Sequence, residues 1–137
     1  MHNTFNKRER LCGKKKIDAL FAQENSFFSY PFVVRWQLNT DEQAYPAQIL
    51  IVVPKRKLRH AVDRNRTKRL IRECYRMQKH RLYTFLSDNS LNMCFSLSYI
   101  DTKTPEFHML MEKTTTMIET LCQHVEKNIP PTPCSNS

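Results

Sequence analysis

No apolar run in this sequence approaches the roughly eighteen residues that a membrane span requires. The opening "MHNTFNKRERLCGKKK" also lacks the apolar core of a secretory signal. The expectation is a cytoplasmic protein with no membrane partner. The five cysteines (Cys12, Cys74, Cys94, Cys122, Cys134) are odd in number, widely spaced and without a CxxC pair. That pattern indicates neither a disulfide framework nor a zinc site, and it reads as reduced thiols that are mostly small core residues. A positioned acid/base pair, or carboxylates grouped to hold metal, is equally missing, so the chain has no legible hydrolytic chemistry of its own. His60 with Asp63 comes nearest, but at i,i+3 near a helix start it reads as a cap and a surface histidine. Asp101, Glu106 and His108 lie near a strand-to-helix turn and suit the helix dipole.

The middle of the chain lacks acid. From Pro54 to Arg81 twelve Lys/Arg face only Asp63 and Glu73, whereas the whole 137-residue chain carries +9, so everything outside that segment nets −1. A composition 40% hydrophobic and 10% aromatic is ordinary for one globular domain, which places the charge on something folded. Such a localised field attracts a polyanion: nucleic acid, or an anionic membrane surface.

Residues 1–13 read as a flexible basic extension, 14–128 as a single domain and 129–137, "IPPTPCSNS", as a disordered tail. Within the domain, a short helix over Lys14 to Gln23 puts Ile17, Leu20 and Phe21 on one face. "PFVVRWQL" alternates as a strand, with Phe32, Val34, Trp36 and Leu38 on one side and Val33, Arg35 and Gln37 on the other. "AQILIVVP" is apolar on both faces and reads as a central strand, forming a hairpin with the strand before it. "LNMCFSLSYI" reads as a strand with one buried face, and a further short strand is expected around Ser26 to Ser29. Thr104 as N-cap with Pro105 at the first helical position starts a last helix that runs to about Lys127. The fold class is α/β, a two-layer sandwich of about four strands packed by helices.

"VDRNRTKRLIRECYR", Val62 to Arg76, is the centre of the charge. At about 100° per residue, Val62 to Leu82 sorts into one arc of Thr67, Leu70, Ile71, Cys74, Tyr75 and Leu82, and an opposite cationic arc of Arg66, Lys68, Arg69, Arg72, Arg76 and Lys79. An ordinary solvated helix interleaves opposite charges, but here Lys68 with Arg72 and Arg72 with Arg76 are like-charged i,i+4 pairs. Glu73, four residues after Arg69, relieves only one such contact. Arginine dominance points to phosphate, which a guanidinium fork grips bidentately. Asn65, between Arg64 and Arg66, adds an amide suited to a 2′-hydroxyl or base edge, or to local capping. Lys55, Arg56, Lys57 and Arg59 in the preceding loop extend the same basic surface.

Preceded by "HAVD", "RNRTKRLIRECYR" resembles the signature of the bacterial ribonuclease P protein subunit; "ERLCGKKKIDALF", "PFVVRW" and "ILIVVPKRK" extend the likeness over most of residues 9 to 125. The resemblance implies a sheet of about four strands with the Arg-Asn-Arg helix in a left-handed crossover. It also implies a division of labour in which a large RNA holds catalytic Mg²⁺ and hydrolyses precursor tRNA. The small basic protein then binds that RNA and the 5′ leader without a cofactor of its own. Carried over residue by residue, RNA binding falls to Arg64, Asn65 and Arg66 and continues through Lys68, Arg69 and Arg72, with Arg76 and the loop cations beside them. Leader binding falls to a cleft at Ile17, Phe21 and Arg35. Only Phe21 of these is aromatic, with Phe32 and Trp36 nearby in sequence. A ribosomal-type RNA-binding protein without a part in hydrolysis is the alternative. A membrane-surface helix is a weaker one, because the core needs the helix's apolar face.

Overall fold

The computed structural model describes Glu9, residues 25–39 and residues 45–128. The expected helix at 14–23 lies outside the described residues. The elements are β1 (Ser26–Ser29), β2 (Phe32–Asn39), β3 (Ala47–Val52), α1 (Ala61–Asp88), β4 (Asn92–Tyr99) and α2 (Phe107–Asn128). They form a four-stranded mixed sheet, in the order β1-β2-β4-β3, covered on one face by the two helices.

Alternation in β2 runs as the sequence predicts. Register carries it across the sheet, because directly opposed residues share a face. Phe32, Val34 and Trp36 oppose Tyr99, Leu97 and Phe95, while Ile49 opposes Phe95 from the other side. All of these are buried, and α1 and α2 add Ile71, Tyr75, Leu82, Leu110, Leu121 and Val125 to the same core. Tyr75 meets Phe95 edge to face at 5.8 Å, and Phe27 stacks on His124 at 4.5 Å, so each helix is keyed to the sheet by an aromatic contact.

Three expectations are corrected. The hairpin is β1–β2, and β2 does not pair with β3: β4 runs between them, antiparallel to β2 and parallel to β3. Parallel neighbours require a long crossover, and α1 supplies it. The central strand is therefore β4, buried on both faces from Met93 to Leu97, while β3, apolar on both sides, is an edge strand with half-buried positions. Serine and cysteine tolerate that double burial because they are small. The last helix begins two residues later than Thr104-Pro105 suggests: Glu106 carbonyl accepts the first helical bond, from Leu110 N–H at 2.9 Å. Asp101 delays the helix by accepting from the N–H groups of Thr102 (2.7 Å) and Lys103 (3.3 Å), and the Tyr99 hydroxyl donates to the Lys103 carbonyl. The tyrosine hydroxyl of residue 30 also donates to Asp101 and holds its carboxyl below the usual range.

Cys74, Cys94 and Cys122 are free thiols, and burial pushes the Cys74 thiol up to about 11, as expected of an inert core cysteine. The C-terminus of α1 closes with Ser90 N–H on Ser87 O (3.1 Å) and Leu91 N–H on Leu86 O (2.8 Å), a Schellman arrangement that puts Ser90 at φ 54°. A Cβ is disfavoured there, so Ser90→Gly should raise stability by about 1 kcal/mol in a urea melt. A lower denaturation midpoint would contradict the cap assignment.

Candidate nucleic-acid interface

Two apolar anchors shape the basic surface. Val53 and Leu58, both 5% exposed, plug into the core and force the intervening residues outward. Pro54 carbonyl accepts from Lys57 N–H (3.0 Å) and Leu58 N–H (3.2 Å), which closes the turn. Ser90 is the one non-glycine with positive φ among the described residues, so this glycine-free loop needs no left-handed residue. Lys55, Arg56 and Arg59 are exposed and Lys57 is half-buried.

The chain enters α1 at His60, whose extended backbone (φ −87°, ψ 130°) makes it the N-cap although its imidazole does no capping. Asp63 sits in the first turn, where a carboxylate suits the helix dipole. Arg64 then folds back: one guanidinium nitrogen, Nη1, donates to the carbonyls of Leu58 (3.0 Å) and Arg59 (2.8 Å). This half-buried side chain locks the loop cations to the helix, so Arg64 has a positioning role that the spacing alone does not reveal.

Asn65, Arg66 and Arg69 are exposed on the first three turns. Lys68, Arg72 and Arg76 are half-buried along the flanks. Arg76 forks onto Glu73, with Nε 3.1 Å from Oε2 and Nη2 2.5 Å from Oε1, and holds that carboxyl below its ordinary range. Glu73 therefore pairs with Arg76 in place of Arg69, a correction that leaves Arg69 presented to solvent. Lys79 is the second correction. It belongs to the wheel's cationic arc, yet it is only 2% exposed, with Nζ 2.5 Å from Oε2 of Glu9 and 5.6 Å from the Tyr83 ring centre. Glu9 falls in the segment read as a loose extension and is itself 1% exposed; it also accepts from the Tyr83 hydroxyl. Without that carboxylate in view, helical spacing cannot distinguish Lys79 from Lys68, eleven residues earlier.

The face of the sheet away from the helices carries Arg35, half-buried on β2. Phe32 and Trp36 are 0% and 2% exposed on the opposite face, so neither supplies a ring beside Arg35. Ile17 and Phe21 lie outside the described residues. Among the described residues no three His, Cys, Asp or Glu come together in a metal-holding group, and no helix is long and apolar enough to cross a membrane.

Comparison with known proteins gives this surface a family. A family model for Ribonuclease P matches residues 5–121. The chain is 34% identical over 101 residues to a ribonuclease P protein component of Porphyromonas gingivalis, covering 74% of each chain. It is 29% identical over 121 residues to one from Chlorobium phaeobacteroides, covering 81% of this chain and 83% of the other. In fold it is similar to the ribonuclease P proteins of Staphylococcus aureus (TM-score 0.64, 19% identity, 84% of this chain and 96% of that one) and Thermotoga maritima (TM-score 0.63, 22% identity, 82% and 97%). With its basic crossover helix presented from a four-stranded sheet, the chain belongs to the ribonuclease P protein family, the protein component of a ribonucleoprotein endoribonuclease.

Proposed function

We propose that the loop and outer face of α1 bind the ribonuclease P RNA, and that the face of the sheet opposite α1 and α2 tracks the 5′ leader of precursor tRNA. The RNA-binding surface comprises Lys55, Arg56, Lys57, Arg59, Asn65, Arg66, Lys68, Arg69, Arg72 and Arg76, with Arg64 fixing the loop against the helix. The observation that carries this reading is the Arg64 clamp, because it turns a mobile-looking run of cations into one surface of fixed shape. Prepositioned guanidinium groups lose less conformational entropy when they meet phosphate than free lysines would. Leader binding is assigned to Ile17, Phe21 and Arg35 by family resemblance. Hydrolysis is left to the RNA, which holds the Mg²⁺ ions, and the protein works in the cytoplasm, where precursor tRNA is processed. Family membership sets aside a ribosomal-type role.

Reconstitution tests the reading. The purified chain, added to its cognate RNA at limiting Mg²⁺, should increase leader removal from precursor tRNA, and protein without RNA should leave the substrate intact. Equal cleavage with and without the chain would overturn it.

A further inference from the structure

We infer that the groove between α1 and α2 at Met77 and Ile118 receives an unstacked base of the RNA whose phosphates meet the outer face of α1. This rests on the proposed RNA-binding role of that face. The groove has a volume of about 180 Å³ and is lined by Met77, Gln78, His80 and Arg81 from α1 and by Thr115 and Ile118 from α2. A cavity of about 150 Å³ takes up one benzene ring, so the space suits a single heteroaromatic ring.

Helical spacing sets the groove beside the cations. His80 follows Arg69 by eleven residues, about three turns and about 17 Å along the axis, and so continues the same row of α1. Both side chains are exposed. Met77 lies between them on the flank that meets α2 and is 40% exposed. An exposed methionine is ordinary by itself. Its setting is not, because the lining around it is fixed in advance. Gln78 Nε2 donates to the Met111 carbonyl (3.1 Å) and its Oε1 accepts from the Thr115 hydroxyl, which locks the amide and leaves the oxygen a second lone pair for an N–H of a base. Arg81 Nη1 donates to Glu119 Oε1 at 2.7 Å, carrying a guanidinium from α1 to α2 at the groove. Thioether, guanidinium and imidazole are all groups against which a base packs well.

Charge selects the base over the phosphate. The outer row of α2 carries Glu112, Glu119 and Glu126 at seven-residue spacing, with Thr116 and Gln123 between them and no cation in the row. A sugar-phosphate chain is therefore held on the α1 side, and only an uncharged group can lean across the boundary. Unpaired RNA offers such a group, whereas duplex RNA keeps its bases stacked and out of reach.

The test uses the full chain and labelled ribonuclease P RNA, with affinity measured over a series of salt concentrations. Met77→Ala should weaken binding about two- to tenfold, the range for losing one sulfur–ring contact, and should leave the salt dependence unchanged because no phosphate contact is lost. A photoreactive benzophenone in place of the Met77 side chain should crosslink to one unpaired nucleotide. A parallel variant with Arg66 and Arg69 reversed in charge separates the two levels of the claim. If that reversal weakens binding while Met77→Ala binds as the wild type does, the groove assignment is wrong and the RNA face stands. If neither variant loses affinity, both fall. Crosslinks confined to paired nucleotides, a reduced salt slope in Met77→Ala, or altered self-association with RNA affinity intact also overturn the assignment.

Discussion

Reversing the charge of Arg66 and Arg69 together should weaken binding to the ribonuclease P RNA by at least about 20-fold near about 0.15 M salt, and should reduce the salt dependence of log affinity by about 1.4 to 1.8. Each phosphate neutralised by a cation releases condensed counterions, which contributes roughly 0.7 to 0.9 to the log–log slope. Two lost contacts at that slope account for the 20-fold figure, and repulsion from the introduced acids adds to it. These two arginines are chosen because both are exposed on α1. Arg64 and Arg76 would confuse the result, since one holds the loop and the other is forked onto Glu73. Thermal unfolding should be nearly unchanged, because surface charge substitutions away from packed contacts stay within about 0.5 kcal/mol. Anisotropy titrations with labelled RNA at a series of salt concentrations give the slope directly. An unaltered slope would show that this face does not meet RNA.

The second large effect is on stability. Lys79→Met should cost about 3–5 kcal/mol, because it leaves the buried carboxylate of Glu9 without its ammonium partner. For a domain of this size that is a fall of roughly 10 to 20 °C in Tm. The companion variant distinguishes a buried-charge penalty from simple loss of packing. Glu9→Leu, Lys79→Met and Tyr83→Phe together remove the carboxylate, the ammonium and the hydroxyl that meet there. Replacing a whole buried ionic group by apolar side chains is often neutral or stabilising, so the triple variant should recover most of the lost Tm. Calorimetry on the wild type, the single and the triple variant decides the matter. A triple variant as unstable as Lys79→Met would mean that the ion pair itself stabilises the fold.

Local pattern carried some of this molecule and misled elsewhere, for physical reasons. Strand β2 was legible because its alternation reflects one buried face, and the basic helix because fifteen residues so short of acid leave little else to be. Strand order was not. Isoleucine and valine on both sides of β3 look like double burial, while the serines of β4 look like solvent exposure. In the sheet the relation is reversed, since the burial of a strand depends on its neighbours, and β4 has one on each side. Within the basic surface, residue type predicted charge well and partners badly. The carbonyls that engage Arg64 lie five and six residues away, and the carboxylate that buries Lys79 lies seventy residues away.

The position of β4 has a consequence for the order in which the protein is made. The ribosome releases α1 before β4, at about 5–20 residues per second. Until Asn92–Tyr99 follows, β2 and β3 have no strand between them, and Tyr75 has no Phe95 on which to rest. Closing the sheet thus waits on a long-range pairing that no earlier segment can replace. A nascent chain halted before residue 92 holds every cation of the interface and lacks the strand that aims them.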